Sequence, residues 1–181
     1  MHRDIESILY SEDTFKERIA QMGQQITADY QGADLVVVGL LKGAFVFMAD
    51  LVRAIDLPLE VDFMVVSSYG SGTESSGELS IAKDLSTPVE GRDVLIIDDI
   101  LDTGLTLSLL SEQLKARGAA SVRSAVLLDK KARRKHPVDC SYVGFFCPDE
   151  FIVGYGLDYA QAYRALPYVG VLKPEVYENK A

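Results

Sequence analysis

The strongest chemical signal in the chain is the run Val94-Leu95-Ile96-Ile97-Asp98-Asp99-Ile100-Leu101-Asp102-Thr103-Gly104-Leu105-Thr106. Its four apolar residues predict a buried strand that ends in two adjacent carboxylates. A turn with a third carboxylate follows, and Thr-Gly-x-Thr then opens a helix. Backbone N–H groups at a helix start, the positive end of its dipole and two Thr hydroxyls suit a phosphate. Carboxylates would repel that phosphate, so their use is to hold a hard cation, Mg²⁺, through which a polyphosphate can bind. Two neighbouring acids alone read as the polar end of a strand. Three carboxylates in five residues, joined to a glycine-flanked phosphate cup, read as a site. In open α/β sheets ligands sit at the carboxyl ends of strands, which is where this run lies.

The rest of the chain supplies the elements that must position such a site. Ser11–Tyr30 carries Phe15, Ile19, Met22 and Ile26 at spacings of three and four, the pattern of an amphipathic helix. Ser11 is its candidate cap, with Glu12 and Asp13 in the first turn. Leu35–Gly39 reads as a buried strand, Ala44–Ile55 as a helix and Leu59–Val66 as a strand. Leu105–Arg117 reads as a helix ended by Gly118. Val122–Leu128, Tyr142–Phe146, Phe151–Val153 and Tyr168–Leu172 read as further strands. Helices alternating with short apolar strands predict an α/β fold with a mostly parallel sheet covered on both faces. The polar stretch from Ser67 to Gly77 reads as a functional loop.

At 181 residues with no linker or repeat, the chain is expected to form one domain. Eighteen Lys and Arg against twenty-seven Asp and Glu give a net charge of −9, which argues against a general nucleic-acid binder. No apolar run is long enough to span a bilayer, and the N-terminus lacks the apolar core of a signal peptide, so a cytoplasmic location is expected. Cys140 and Cys147 form no CxxC pair and are expected as two buried thiols. With His2 and His136 as the only histidines, no zinc set can be assembled.

The Asp98–Thr106 run closely resembles the phosphoribosyl-diphosphate-binding signature of the type I phosphoribosyltransferases. Further stretches resemble the hypoxanthine–guanine branch of that family. They are Gly39-Leu40-Leu41-Lys42-Gly43-Ala44, Ser68-Tyr69-Gly70, Leu127-Leu128-Asp129-Lys130, and Phe151-Ile152-Val153-Gly154-Tyr155-Gly156-Leu157-Asp158-Tyr159 followed by Arg164. They occur in family order from about residue 8 to residue 172. One departure is that the first acid of the pair, commonly Glu, is here the shorter Asp98. The resemblance implies a central, mostly parallel sheet flanked by helices, with a small hood built from chain-terminal segments. The core would cover about 30–140 and the hood the N-terminal segment and about 141–181.

The resemblance also implies residue roles. Asp98 and Asp99 would hold Mg²⁺, and Asp158 would sit near a second metal and the base. Thr103, Gly104, Leu105 and Thr106 would hold the 5′-phosphate of phosphoribosyl diphosphate. Leu41, Lys42 and Gly43 would bind its pyrophosphate, with a cis peptide between Leu41 and Lys42 in at least some states, and Arg164 would assist. Ser68 and Tyr69 would belong to a loop that closes over the site. Asp102 would be the catalytic base. Lys130 would donate to the 6-oxo group of the purine, Phe151 would stack on its ring and the Ile152 backbone would read its edge. Homodimers or homotetramers are implied.

Two other readings compete. Ile96-Ile97-Asp98-Asp99 is also similar to the acidic pair of a response-regulator receiver domain, but there the pair lies near the start of the domain. A phosphoribosyltransferase-like nucleic-acid-binding regulator would use the same pocket to sense the donor. The basic run Lys130–Lys135 lacks interleaved aromatics, and Lys131, Arg133 and Lys135 read as a solvated turn.

Overall fold

The computed structural model describes residues 1–68 and 79–178. In chain order the elements are β1 (Ile5–Tyr10), α1 (Glu12–Asp29), β2 (Leu35–Leu40), α2 (Phe45–Ala54), β3 (Leu59–Ser68) and β4 (Leu79–Lys83). They continue with β5 (Asp93–Leu101), α3 (Leu105–Ala116), β6 (Ser121–Asp129), β7 (Tyr142–Phe146), β8 (Ile152–Val153), β9 (Val169–Leu172) and α4 (Pro174–Tyr177). Six strands form one sheet in the order β4-β3-β2-β5-β6-β7, and β1-β9-β8 form a second. The large sheet is parallel except for β4, which runs antiparallel to β3. The second sheet is antiparallel, and its pairs Ile5↔Leu172 and Ile152↔Val171 tie the two ends of the chain into a hood. This is the expected α/β architecture.

The central strands are buried on both faces, as a parallel sheet requires. All six residues of β2 are buried. Val37, Leu95, Ile97 and Leu127 face α1 and α2, while Val36, Val38, Ile96 and Val126 face α3. Helix α1 starts where its cap predicts, with Ser11 Oγ accepting from the Thr14 amide at 3.3 Å. Its apolar stripe is buried, and Gly23 lets it press on α2, where a Cβ would lie 2.3 Å from the Ala54 carbonyl oxygen. Helix α3 ends at Ala116 with Arg117 as its cap, and Gly118 takes φ +88, the left-handed turn that glycine accepts without strain.

Three local expectations are revised. β5 runs on to Leu101, so Asp98 and Asp99 lie within the strand, paired to β6 as far as Leu101↔Asp129. β4 is a strand just after the Ser67–Gly77 stretch, where no element is expected from the sequence. β7 lies in the large sheet, which therefore extends to Phe146 and past the expected core boundary. Tyr69 lies in the 69–78 stretch, outside the described residues, and the expectation of a closing loop lies there with it. Among the described residues no helix is long and apolar enough to cross a membrane. Both cysteines are free and partly buried, on either side of β7.

Asp62 anchors the linker after β4 to the sheet. It is 7% exposed and accepts from the amides of Phe63, Ser86 and Thr87 at 2.7, 2.6 and 2.8 Å. Burial alone would push this carboxyl up, but the three amides and the Lys83 ammonium outweigh it and hold it down at about 2, against 3.8 ordinarily. The charged form is therefore favoured by folding, by about 2 kcal/mol. That contribution is complete above pH 4 and is lost as pH falls through 2. Asp62→Asn is expected to lower stability by about 2 kcal/mol at pH 7 in denaturant melts, with the gap closing towards pH 2. Equal stability at pH 7 would contradict this account.

Candidate active site

The carboxyl ends of β2, β5 and β6 meet the hood over one edge of the large sheet. The turn after β5 opens α3 through Gly104, which takes φ +87. A Cβ there would lie 2.6 Å from the His136 carbonyl oxygen, so only glycine fits. The next segment wraps this turn. The amides of Lys135 and His136 both donate to the Thr103 carbonyl at 3.0 Å. Arg134 donates to the carbonyls of Leu101 and Asp102 at 3.3 and 3.1 Å and is ion-paired with buried Asp129. A small cavity of about 70 Å³ results, lined by Asp98, Ile100, Asp102, Thr103, Gly104 and Thr106 among others. The first turn of a helix carries amides with no partner inside the helix, and here they open towards this cup.

Asp98 lines that cup, and Asp99 points at the loop after β2. The Leu41–Lys42 peptide in this loop is cis. Gly43 passes so close to the carboxylate that a Cβ would stand 1.7 Å from Asp99 Oδ2. Both carboxyls are pushed above the ordinary carboxylate range. Burial is the main cause for each, Asp99 adds to the shift at Asp98, and Arg164 opposes the shift at Asp99. Two desolvated acids side by side hold their charge poorly until a cation arrives. Among the described residues no three His, Cys, Asp or Glu side chains converge to hold a metal alone. That donor set fits Mg²⁺, which takes one or two carboxylates and fills its shell with water and substrate phosphate.

Across the edge, the hood loop Gly154–Leu157 lies on the β2 loop. Gly156, at φ +103, packs so that a Cβ would lie 2.1 Å from the Gly43 carbonyl oxygen. Tyr155 fastens this loop to the core, its ring stacked on Phe15 at 4.4 Å and its hydroxyl donating to Asp50 on α2. Arg164 donates to the Gly156 carbonyl at 2.8 Å and is ion-paired with Asp158 at 2.8 Å. Lys42 and Arg164 therefore flank one space beside Asp99.

The residues expected to take a base form a second cavity of about 310 Å³, lined by Ile100, Lys130, Phe151, Ile152, Leu157, Asp158 and others. Lys130 is 7% exposed, and its ammonium donates to the Glu150 carbonyl at 2.7 Å and approaches Asp149 at 3.6 Å. Phe151 stacks on Tyr177 of α4 at 4.8 Å and meets Tyr159 edge-on. Ile100 lines both cavities, so the cup and the ring-sized space share a wall. Asp102 sits beside that wall. Its Oδ1 is buried with no hydrogen-bond partner among the described residues, and its Oδ2 lies 3.9 Å from Arg133.

The described site residues named from sequence thus gather at this edge. Ser68 ends β3 and its backbone pairs with Leu79. Asp158 is committed to Arg164 and to the Gln161 amide rather than to Asp98 or Asp99. Sequence reasoning missed Ile100, Arg133, Arg134 and Gln161. Arg133 is exposed, as expected for a solvated turn, and it also pairs with Asp149 at 2.9 Å and faces Asp102. A further cavity, about 540 Å³, lies between α1, α2 and Leu166.

A phosphate cup, an acidic pair and a cationic loop on one edge of a parallel sheet define a phosphoribosyl-transfer class of fold and site, and comparison with known proteins agrees. The family model described as phosphoribosyl transferase domain matches residues 7–160, and the chain belongs to this family. The chain is 54% identical to the Bacillus subtilis hypoxanthine-guanine phosphoribosyltransferase, covering 99% of each chain. It is 58% identical to the Listeria innocua bifunctional protein TilS/HprT, of whose length it spans 28%. A crystal structure of a Staphylococcus aureus hypoxanthine phosphoribosyltransferase superposes with a TM-score of 0.95 at 52% identity, covering 99% of this chain and 97% of that one.

Proposed function

We propose that the protein transfers a 5-phosphoribosyl group from phosphoribosyl diphosphate to hypoxanthine, and to guanine, with Mg²⁺ as cofactor. The products are IMP or GMP and pyrophosphate, a purine-salvage reaction in the cytoplasm carried out by a homodimer or homotetramer. The observation that supports the reading is the shared wall at Ile100, with a base-sized cavity on one side of it and a phosphate cup lined by Asp102 on the other. The relatives named above support the substrate class.

In this reading the bond from the sugar C1 to the pyrophosphate oxygen breaks, the bond from C1 to purine N9 forms, and the N7 proton passes to Asp102. The cup at Thr103, Gly104, Leu105 and Thr106 holds the 5′-phosphate, and Asp98 and Asp99 hold the cation. Mg²⁺ supplies opposing charge to the departing pyrophosphate. Lys42 and Arg164 oppose the same charge, and water is excluded where the hood lies on the β2 loop.

Lys130 carries the choice of base. Its buried ammonium gives the 6-oxo group a charged donor and offers no acceptor to an adenine amino group, which donates. Lys130→Ala is expected to raise KM for hypoxanthine at least tenfold while leaving KM for phosphoribosyl diphosphate within about twofold. An unchanged hypoxanthine KM would remove Lys130 from this role. The whole reading is tested by turnover on a panel of hypoxanthine, guanine, xanthine and adenine with phosphoribosyl diphosphate and Mg²⁺. Nucleotide product from hypoxanthine and none from adenine is expected, and no product from any base would overturn it. The regulator reading gains no support from these residues, and a nucleic-acid shift with no turnover would be needed to restore it.

A further inference from the structure

Lys42 and Arg164 come from separate parts of the molecule, one from the loop after β2 and one from the hood. A single side chain joins them. The Gln161 amide oxygen accepts from Lys42 Nζ at 3.4 Å and from Arg164 Nη2 at 3.3 Å. Gln161 sits at the tip of a tight antiparallel turn closed by Tyr159 and Ala162, whose amides and carbonyls exchange hydrogen bonds at 3.2 and 2.9 Å. Both central residues of this turn are left-handed, Ala160 at φ 49 and Gln161 at φ 66. Turns of that kind favour Asn and Gly, because a Cβ is strained there. The strained position is held by the Gln161 backbone N–H, which donates to Asp158 Oδ2 at 2.8 Å, while Asp158 Oδ1 holds Arg164. An exposed Gln kept in a glycine conformation, with its amide oxygen placed between two cations, is explained by what it does for those cations.

We propose that Gln161 is a positioning residue for the pyrophosphate of the donor, its amide oxygen bringing Lys42 of the core and Arg164 of the hood to bear on one anion. The assignment rests on the phosphoribosyl-transfer reading of Lys42 and Arg164. It adds a residue that touches neither the base nor the cup, so its loss must act on pyrophosphate alone.

Magnesium pyrophosphate binding, measured by calorimetry on the full chain, tests this independently of turnover. Q161G relieves the left-handed strain and removes the shared acceptor. Its melting temperature is expected to equal or exceed that of the wild type, while pyrophosphate affinity falls about five- to tenfold and KM for hypoxanthine stays within twofold. Q161E restores an acceptor at the same reach and is expected to recover most of that loss. Wild-type affinity in Q161G, an equal loss for pyrophosphate and hypoxanthine, or a Q161E as weak as Q161G would overturn the assignment. A wild type that binds magnesium pyrophosphate without turning over refutes the transferase reading and leaves this test standing. A wild type that binds no pyrophosphate refutes the positioning role itself.

Discussion

Asp102→Asn is expected to slow phosphoribosyl transfer to hypoxanthine by about two orders of magnitude or more, the usual contribution of a positioned general base. Asparagine keeps the size and the backbone of the turn, so the cup at Thr103–Thr106 should stand. What it loses is the capacity to take a proton. The native carboxylate has a buried oxygen with no hydrogen-bond partner among the described residues, an arrangement that costs on the order of 1–3 kcal/mol and persists where a ligand completes it. Donor binding should therefore stay within about 1.4 kcal/mol of the wild type, while kcat falls. Steady-state kinetics with a separate measurement of donor affinity checks both halves. Near-wild-type kcat would remove Asp102 from the base role, and a collapse of donor affinity would make it part of the cup instead.

Gly43→Ala carries the second large effect. The added methyl would stand 1.7 Å from Asp99 Oδ2 and cannot be accommodated unless the carboxylate or the β2 loop moves. Either movement displaces Lys42 relative to the acidic pair. A displacement of about 1 Å at a reacting centre costs about a hundredfold, so kcat/KM for phosphoribosyl diphosphate is expected to fall by at least that much. Gly32→Ala is the control for loss of a glycine away from the site, since Gly32 sits at φ +77 and nothing lies within 4 Å of the added carbon. It should lose about 1 kcal/mol of stability and no activity. Equal activity losses in the two variants would show that Gly43 matters only as flexible backbone.

What could be read from the sequence follows from where the information is local. Ser11, the acids after it and the stripe from Phe15 to Ile26 announce α1 within one segment, and Thr103 to Thr106 announce the cup within four residues. The apolar run predicts too early an end for β5 because polar Asp98 and Asp99 interrupt it, whereas the ladder to β6 depends on backbone groups and continues to Leu101. The edge strand β4 has a pattern with little burial, which resembles a loop until β3 is beside it. The pairing of Ile5 with Leu172 leaves no local trace at all.

The same distinction separates the parts of the site. Asp99 and Gly43 are identifiable as residue types, but their contact is a property of two loops from different strands. Gln161 stands in a polar turn with no period or motif of its own, and only the placement of Lys42, 119 positions away, gives it meaning. Ile100 reads as one more apolar residue until two cavities open on either side of it. Arg134 hides in a basic run, since charge alone does not distinguish a solvated side chain from one folded beneath a turn.

The most direct test is a crystal of the protein soaked with phosphoribosyl diphosphate and magnesium. The expected density places the 5′-phosphate on the amides of Thr103 to Thr106 and the pyrophosphate between Lys42 and Arg164, with the metal joining it to the Asp98–Asp99 pair. A donor bound elsewhere, or a phosphate cup left unused at full occupancy of the metal, would contradict the account.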